Sequence, residues 1–240
     1  MLKQVKGNIV ILTGAGISKE SGLSTFRDPD GIWAEVNIDE VATPEAFSHN
    51  PAKVHEFYNA RRERLLSGNV LPNSAHFALA RLEAQWNASV LVITQNVDNL
   101  HEKAGTRNIL HMHGELTKAR CTTCGIVLIW RKGLSCTDIC GSCSRAGSLR
   151  PHVVWFGENP LNMHKIQEAL KDAAVFVSIG TSGHVYPAAS FISQLKSQKE
   201  VMTVELNLEP SANAPLFEYS TYGEATKIVP AFVHGLLENQ

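Results

Sequence analysis

Short, continuous apolar runs alternate along this chain with segments that have a helical period. Such runs are typical of strands buried on both faces of a parallel sheet. They occupy residues 9–12, 90–93, 175–179 and 201–206, and residues 74–86 and 163–173 have helical patterns between them. The alternation predicts an α/β fold, a doubly wound parallel Rossmann-like sheet, in which ligands bind at the carboxyl ends of the strands.

Two segments interrupt this alternation. Residues 39–72 have helical patterns of their own, and residues 119–147 contain all five cysteines with little apolar periodicity. We therefore predict a smaller module, helical and zinc-binding, that is inserted twice into the large domain. The predicted boundaries are 1–38, 73–118 and 148–240 for the Rossmann-like domain, and 39–72 and 119–147 for the smaller module.

The composition excludes several classes of partner. The 240 residues are 44% hydrophobic and carry a formal net charge of −1, so nothing draws the chain generally to nucleic acid or to an anionic membrane. No apolar stretch approaches the ~20 residues of a membrane span. The cysteine pattern suits a reducing compartment better than disulfide formation. We expect a cytoplasmic protein that binds neither nucleic acid nor membrane directly.

Four of the cysteines form two C-x-x-C pairs. Cys121 and Cys124 precede Cys140 and Cys143 by fifteen intervening residues, a spacing that can place four thiolates around one zinc ion. With four protein ligands such a site is closed and structural. Redox-active or buried free thiols are the alternative, and Cys136, which forms no C-x-x-C, is left out of the predicted site.

The first predicted strand runs into a Gly-Ala-Gly turn at residues 14–16. Glycines there let backbone N–H groups approach a pyrophosphate at the start of the next helix. The dinucleotide fingerprint is incomplete, because Lys19 stands where the third glycine belongs. Alone, the turn leaves open whether a nicotinamide cofactor is bound. The polar, aperiodic segment that follows, with Phe26 and Arg27, predicts a lid over the ligand.

Two further polar turns carry candidate chemistry. Residues 94–99 offer amide and carboxylate groups that can bind ribose hydroxyls and a carboxamide, although Asn/Asp loops often satisfy their own backbone. His113 stands beside Gly114, and an imidazole whose pKa lies near neutrality is a candidate general base. A single histidine is more often structural, so the spacing alone leaves its role open.

Seven motifs, in one order, resemble those of the sirtuins. They are GAGISKESGLSTFRD, TQNVDNLH, HMHGEL, the paired C-x-x-C, VVWFGE, GTSG and ELN, and they cover nearly the whole chain. Sirtuins consume NAD as a co-substrate instead of reducing it, which accounts for the incomplete glycine fingerprint. The resemblance implies a bacterial-type NAD-dependent protein deacylase with one structural zinc ion.

The resemblance also implies roles for individual residues. The catalytic residues would be His113, Asn96 and Asp98. An acyl-lysine segment would bind as an added strand to Val154, Trp155, Phe156, Gly157, Glu158, Gly183 and Val185. NAD would be bound by Gly14, Ala15, Gly16, Ile17, Phe26, Arg27, Trp33, Gln95, Asn96, Val97, Asp98, Gly180, Thr181, Ser182, Asn207, Leu208, Glu209 and Ala225.

In sirtuins the acyl-lysine carbonyl oxygen attacks C1′ of the ribose and displaces nicotinamide. The resemblance implies that His113 acts as general base on the ribose hydroxyls, that Asp98 faces the carboxamide, and that Phe26 shields C1′. Water then completes the reaction, which gives free lysine and O-acyl-ADP-ribose. Orientation of both reactants in one dry tunnel supplies much of the rate.

The acyl specificity depends on the helical pattern at residues 51–66. Arg61 takes an apolar-stripe position seven residues after Val54, and a guanidinium there needs a negative partner. From the residues alone, an internal Asp or Glu and a substrate carboxylate are equally good partners. A subset of sirtuins carries Tyr-x-x-Arg at this place and removes succinyl and malonyl groups. The match implies that Tyr58 and Arg61 bind an acidic acyl group, with the small Ala42 widening the pocket.

Other functions remain as alternatives. A plain deacetylase would lack the acidic-acyl activity, and a mono-ADP-ribosyltransferase would share NAD cleavage but differ in its acceptor. A zinc-containing binding module without turnover is disfavoured by the presence of His113, Asn96 and Asp98, and an ordinary dehydrogenase by the incomplete glycine fingerprint. We expect a minimal prokaryotic-type enzyme that is a monomer.

Overall fold

The computed structural model describes residues 6–25, 36–197 and 201–239. Nine strands lie within these ranges, and they divide between a large parallel sheet and a small antiparallel one. In chain order they are β1 (Asn8–Thr13), β2 (Val90–Thr94), β3 (Ile109–His111), β4 (Gly114–Cys121), β5 (Val127–Ile129), β6 (Leu149–Val153), β7 (Ala173–Ile179), β8 (Met202–Asn207) and β9 (Tyr219–Tyr222).

The large sheet has six strands in the order β3-β2-β1-β7-β8-β9, all of them parallel. β1 lies at its centre, with Thr13 opposite Thr94 of β2 on one side and Ile179 of β7 on the other. The strand order reverses between β1 and β7, which is where doubly wound sheets bind their ligands. The predicted fold class is therefore confirmed.

Helices cover both faces of this sheet. Side chains of β1 alternate between the two cores: Ile9 and Ile11 pack beneath the helices at 74–85 and 225–238, whereas Val10 and Leu12 face those at 163–171 and 191–196. Over the described ranges no helix is long and apolar enough to cross a bilayer. The helices are α1 (Gly16–Lys19), α2 (Ile38–Val41), α3 (Pro44–His49), α4 (Pro51–Leu66), α5 (Ser74–Gln85), α6 (Leu100–Ala104), α7 (Met163–Lys171), α8 (Phe191–Lys196) and α9 (Ala225–Glu238).

The small sheet has the order β5-β4-β6 and is antiparallel. α4 packs against it through Val54, Tyr58 and Leu65, which share a core with Leu116 and Trp155. β4 runs from Gly114 to Cys121 and thus crosses the predicted boundary at residue 118. The division of the chain into two domains stays a prediction.

Local signals explain where two of the long helices begin. At α5 the Asn73 side chain accepts a hydrogen bond from Ala75 N, and His76 reaches back to the Asn73 N–H in a capping box. At α4 the Asn50 side chain accepts from Lys53 N, and Pro51 occupies the first turn. The helix predicted for residues 163–173 ends earlier, at Lys171, because β7 begins two residues later.

Candidate active site

A cavity of about 570 Å³ lies at the carboxyl ends of β1, β2, β7 and β8, where α4 and the segment 153–158 also meet it. It brings together chain segments that are far apart in sequence, as the predicted strand order requires. Of the residues predicted for the site, it is lined by Gly14, Ala15, Gly16, Ala42, Tyr58, Arg61, Gln95, Asn96, Val97, His113, Val154, Trp155, Phe156, Gly157, Glu158, Gly180, Thr181, Ser182, Val185 and Asn207.

The remaining predicted residues do not line this cavity or cannot be placed. Ile17 and Asp98 are buried beside it, and Gly183 lies next to it against Asn213. Leu208 and Glu209 are exposed beyond the end of β8, and Ala225 starts α9. Phe26, Arg27 and Trp33 lie outside the described residues.

Three further lining residues, Val153, His184 and Tyr186, belong to the segments 153–158 and 183–186 that were expected to bind the peptide. Four lining residues were not predicted from the sequence, namely Thr25, Phe57, Leu116 and Pro160. Phe57 and Leu116 have the pattern of ordinary core residues, so nothing in their spacing marks them. The position of Phe57 could have been predicted from one feature. It lies four residues before Arg61 on the same helix, and such positions are neighbours on a helical surface.

Three glycines fit against one another where β1 and β7 end. A Cβ on Gly14 would lie 2.6 Å from the Gly180 carbonyl oxygen, and one on Gly16 would lie 2.7 Å from Gly180 Cα. Gly180 itself has φ +62°, and its Cβ would lie 2.5 Å from Ile17 N. The two turns therefore pack backbone against backbone, and Gly14 N and Gly16 N donate to the Ile179 and Gly180 carbonyl oxygens at 2.9 and 3.0 Å.

We expect Gly180→Ala to weaken this packing. The new methyl group would force the turns apart in a backbone conformation that side chains disfavour, costing about 1–3 kcal/mol of unfolding free energy, and the KM for NAD would rise. Gly235→Ala is the matched control, because Gly235 lies within α9 with open space around it and alanine there adds about 0.5–1 kcal/mol. Chemical denaturation and NAD titration measure both effects; equal stabilities of the two variants would contradict the expectation.

His113 lies in the turn between β3 and β4 and faces the cavity. Its Nδ1 lies 3.1 Å from the Gln95 carbonyl oxygen, which can only accept, so Nδ1 carries the proton and Nε2 is left as the basic nitrogen. Burial lowers the pKa of His113 below its usual value, and the hydrogen bond to Gln95 offsets part of that shift. The imidazole is therefore neutral at pH 7, the form that a general base requires.

Asn96 and Asp98 are both held by Ser18 of α1. Asn96 Nδ2 donates to the Gly14 carbonyl oxygen at 3.0 Å and to Ser18 Oγ at 3.3 Å. Ser18 Oγ in turn donates to Asp98 Oδ2 at 3.1 Å, and Asp98 Oδ1 accepts from Leu100 N. Burial raises the pKa of Asp98, while these hydrogen bonds oppose the shift. The network fixes the turn after β2 against the turn after β1.

α4 supplies the far wall of the cavity. The Arg61 guanidinium lies 3.4 Å from the Phe57 ring centroid and donates to the Phe57 carbonyl oxygen at 3.0 Å. The fully buried arginine of this helix is instead Arg62, whose Nε donates to Leu116 O and whose Nη1 donates to Asn59 Oδ1. The predicted apolar stripe thus has a different phase, and it leaves Arg61 facing the cavity.

The segment 153–158 uses several of its own hydrogen-bonding groups internally. Val154 N donates to the His113 carbonyl oxygen, and Phe156 N donates to that of Ala42. Glu158 accepts from Trp155 N and from both Arg120 and Arg150. A peptide added along this segment therefore needs partners other than these N–H groups.

The four predicted zinc ligands come together in the small module. Their Sγ atoms all lie within 4.8 Å of one another, with Cys121 and Cys143 3.7 Å apart and Cys124 and Cys140 3.8 Å apart. In both pairs the residue after the second cysteine is left-handed, Gly125 with φ +75° and Ser144 with φ +57°. Two matching thiolate turns that converge on one point fit a structural zinc site.

Comparisons with known proteins agree with this geometry. Residues 14–187 match the model of the Sir2 family. An NAD-dependent protein deacylase from Pasteurella multocida is 53% identical over 97% of this chain and 98% of its own length. A solved complex of a Sir2 homologue with NAD is 37% identical, with a TM-score of 0.85 over 96% of this chain and 90% of that one.

A more distant solved structure, of a Sir2 protein bound to a myristoylated histone peptide, is 28% identical, with a TM-score of 0.70 over 96% of this chain and 91% of that one. The family model covers well over half of the chain, and the Pasteurella relative is matched almost end to end. This chain belongs to the Sir2 family.

Proposed function

We propose that this protein removes acyl groups from protein lysines with consumption of NAD, and that acidic acyl groups are among its substrates. The products are nicotinamide, O-acyl-ADP-ribose and free lysine. One observation carries the proposal: a single cavity is lined by the glycine turns, the neutral His113, and the Tyr58 and Arg61 side chains. NAD and an acyl-lysine can therefore meet in one cavity.

The described residues divide the work as follows. The backbone of the turns at 14–16 and 180–182 binds the pyrophosphate and adenosine end, and Asn207 holds the second turn by donating to the Thr181 carbonyl oxygen at 2.8 Å. Gln95 and Asn96 line the same cavity, and we assign to them the contacts with the nicotinamide and its ribose. His113 Nε2 takes the proton from a ribose hydroxyl, and the Gln95 carbonyl oxygen stabilises the imidazolium that results.

Two features of the cavity support acidic acyl groups. Arg61 supplies a guanidinium that a carboxylate can engage in a charge-assisted pair, and Tyr58 supplies a hydroxyl on the same wall. Among the described lining residues the one carboxylate is Glu158, and both of its oxygens already accept hydrogen bonds from Arg150. Ala42 is buried at the same end, where a larger side chain would fill space that the acyl chain needs.

Arg61→Met tests this proposal. Loss of a charge-assisted pair inside a cavity costs on the order of 1.5–3 kcal/mol, so the ratio of succinyl to acetyl kcat/KM should fall by roughly 10- to 100-fold. The assay uses matched acetyl- and succinyl-lysine peptides with NAD, and mass spectrometry follows the products. Arg81→Met, which makes the same replacement on the exposed surface of α5, should keep the wild-type ratio.

Two other outcomes of this assay would assign a different activity to the protein. Acetyl release without succinyl release in the wild type would make it a plain deacetylase. ADP-ribosylated protein in place of O-acyl-ADP-ribose would make it a mono-ADP-ribosyltransferase. We also propose that the enzyme is a cytoplasmic monomer whose partners are acyl-lysine segments. The grouping of four cysteines as metal ligands supports a reducing compartment.

A further inference from the structure

Trp155 lines the cavity but is almost fully buried, and it belongs to the segment 153–158 that is proposed to bind the peptide. It is 2% exposed, and its indole Nε1 lies 3.0 Å from the Tyr58 hydroxyl oxygen. Phe47 packs on the same indole, with ring centroids 5.3 Å apart. The indole is therefore a fixed support for Tyr58.

The direction of this hydrogen bond determines what Tyr58 can do. An indole N–H can only donate, so the Tyr58 oxygen accepts and its own proton must point elsewhere. In the described part of the chain no acceptor contacts that proton, and Tyr58 lines the cavity beside Arg61. Burial raises the pKa of Tyr58, so the hydroxyl keeps its proton across the physiological range. Tyr58 is thus left with a proton to donate into the cavity.

A partly buried ion pair contacts Trp155 in turn. The Arg150 guanidinium lies 3.1 Å from the Trp155 ring centroid, and its two Nη atoms donate to the two oxygens of Glu158 at 2.6 and 3.0 Å. Glu158 also accepts from Trp155 N at 2.8 Å. A cation over the ring withdraws electron density from it, which makes the indole N–H a stronger donor.

We propose that Trp155 is a positioning residue for acyl specificity: its indole N–H sets Tyr58 as a proton donor to the carboxylate of an acidic acyl group. This inference rests on the acidic-acyl activity proposed above. It assigns no contact between Trp155 and the substrate. An acetyl group has no carboxylate to receive the Tyr58 proton, so Trp155 acts on the choice between acyl groups and not on the chemical step.

The test is a double-mutant cycle on the full chain with Trp155→Phe and Tyr58→Phe. Trp155→Phe keeps an aromatic ring beneath Arg150 and removes the N–H, so the succinyl-to-acetyl ratio of kcat/KM should fall about five- to tenfold. The fall should come mainly through the KM for the succinyl peptide. In the Tyr58→Phe background the same replacement should change the ratio less than about twofold.

The matched control is Trp130→Phe. Trp130 also donates its indole N–H to a carbonyl oxygen, that of Gly133, and also has a cation, Lys132, over its ring. It lies in the small module away from the cavity, so the ratio should equal that of the wild type. Glu158→Gln is a second test, because it weakens the ion pair that holds Arg150 and the hydrogen bond from Trp155 N, while both the indole and the Tyr58 hydroxyl are retained. It should lower the succinyl-to-acetyl ratio only when the Tyr58 hydroxyl is present.

Three results would overturn the inference. One is a wild-type ratio in Trp155→Phe. Another is an equal loss with and without the Tyr58 hydroxyl, for either Trp155→Phe or Glu158→Gln, since that is the behaviour of a residue that only supports the fold. The third is a wild-type enzyme that leaves succinyl-lysine intact, which removes the acidic-acyl function itself and is recognised before any variant is compared.

Discussion

Replacing His113 with alanine is expected to lower kcat/KM about 10²- to 10⁴-fold with acetyl and succinyl peptides alike. The loss is common to both substrates because the proton that His113 removes belongs to the ribose and not to the acyl group. His164→Ala is the control, since that imidazole lies on the surface of α7 with 87% of its side chain exposed. Retention of wild-type turnover in His113→Ala would remove this residue from the catalytic role.

The pH dependence gives an independent check of the same residue. A base works when neutral, so kcat/KM should hold above the pKa of His113 and fall as the pH drops through it. Burial lowers that pKa below the usual 6.5, so the acid limb of the profile should lie below pH 6.5. His111 would place the limb higher, because its ion pair with Glu102 outweighs burial and raises its pKa. The limb should vanish in His113→Ala.

Cys140→Ser is expected to unfold the cysteine-containing segment 119–147 and release its zinc. The core of this segment consists of Ala119, Leu134 and the adjoining Leu149 with two of the cysteines, and only Leu128 and Trp130 pack against it, which is too little apolar surface to order the segment. Structural zinc contributes roughly 10 kcal/mol or more to such modules. Metal analysis should fall from one zinc per chain to none, and limited proteolysis should cut between the two cysteine pairs.

Cys136→Ser is the matched control for that experiment. Cys136 is exposed, and its Sγ lies 4.0 Å from His55 Nδ1, outside the four-cysteine cluster. The variant should keep its zinc and its resistance to protease. If Cys136→Ser released the metal while Cys140→Ser retained it, the ligand set would be wrong.

The central strands could be predicted because their burial on both faces leaves a continuous apolar run. β3 and β9 could not, since each is short and lies at an edge of the sheet. β9 is the polar sequence Tyr-Ser-Thr-Tyr, and it is a strand only because it pairs with β8. The predicted phase of the apolar stripe on α4 was wrong because two polar residues of this helix, His55 and Arg62, are buried. Their side chains are hydrogen-bonded to the carbonyl oxygens of Leu149 and Leu116.

The candidate site was predictable where its polar residues lie in turns that directly follow a strand. Turns after parallel strands must meet at one edge, so residues 14–16, 95–98 and 180–182 were expected together. The contact between Trp155 and Tyr58 was not predictable, because it joins positions 97 residues apart and neither has a pattern that points to the other. The wall of the cavity that Tyr58 and Trp155 form depends on such long-range side-chain contacts.

The place of β1 at the centre of the sheet has a consequence for synthesis on the ribosome. β1 is made first, and β2 can cover one of its edges once residue 94 has emerged. The other edge pairs with β7, which begins only at Ala173, and the interlocking glycines meet at Gly180. A nascent chain shorter than this exposes an unpaired apolar strand, the kind of edge that promotes aggregation. Truncations that end before Gly180 should therefore be insoluble, however complete their helices and zinc ligands are.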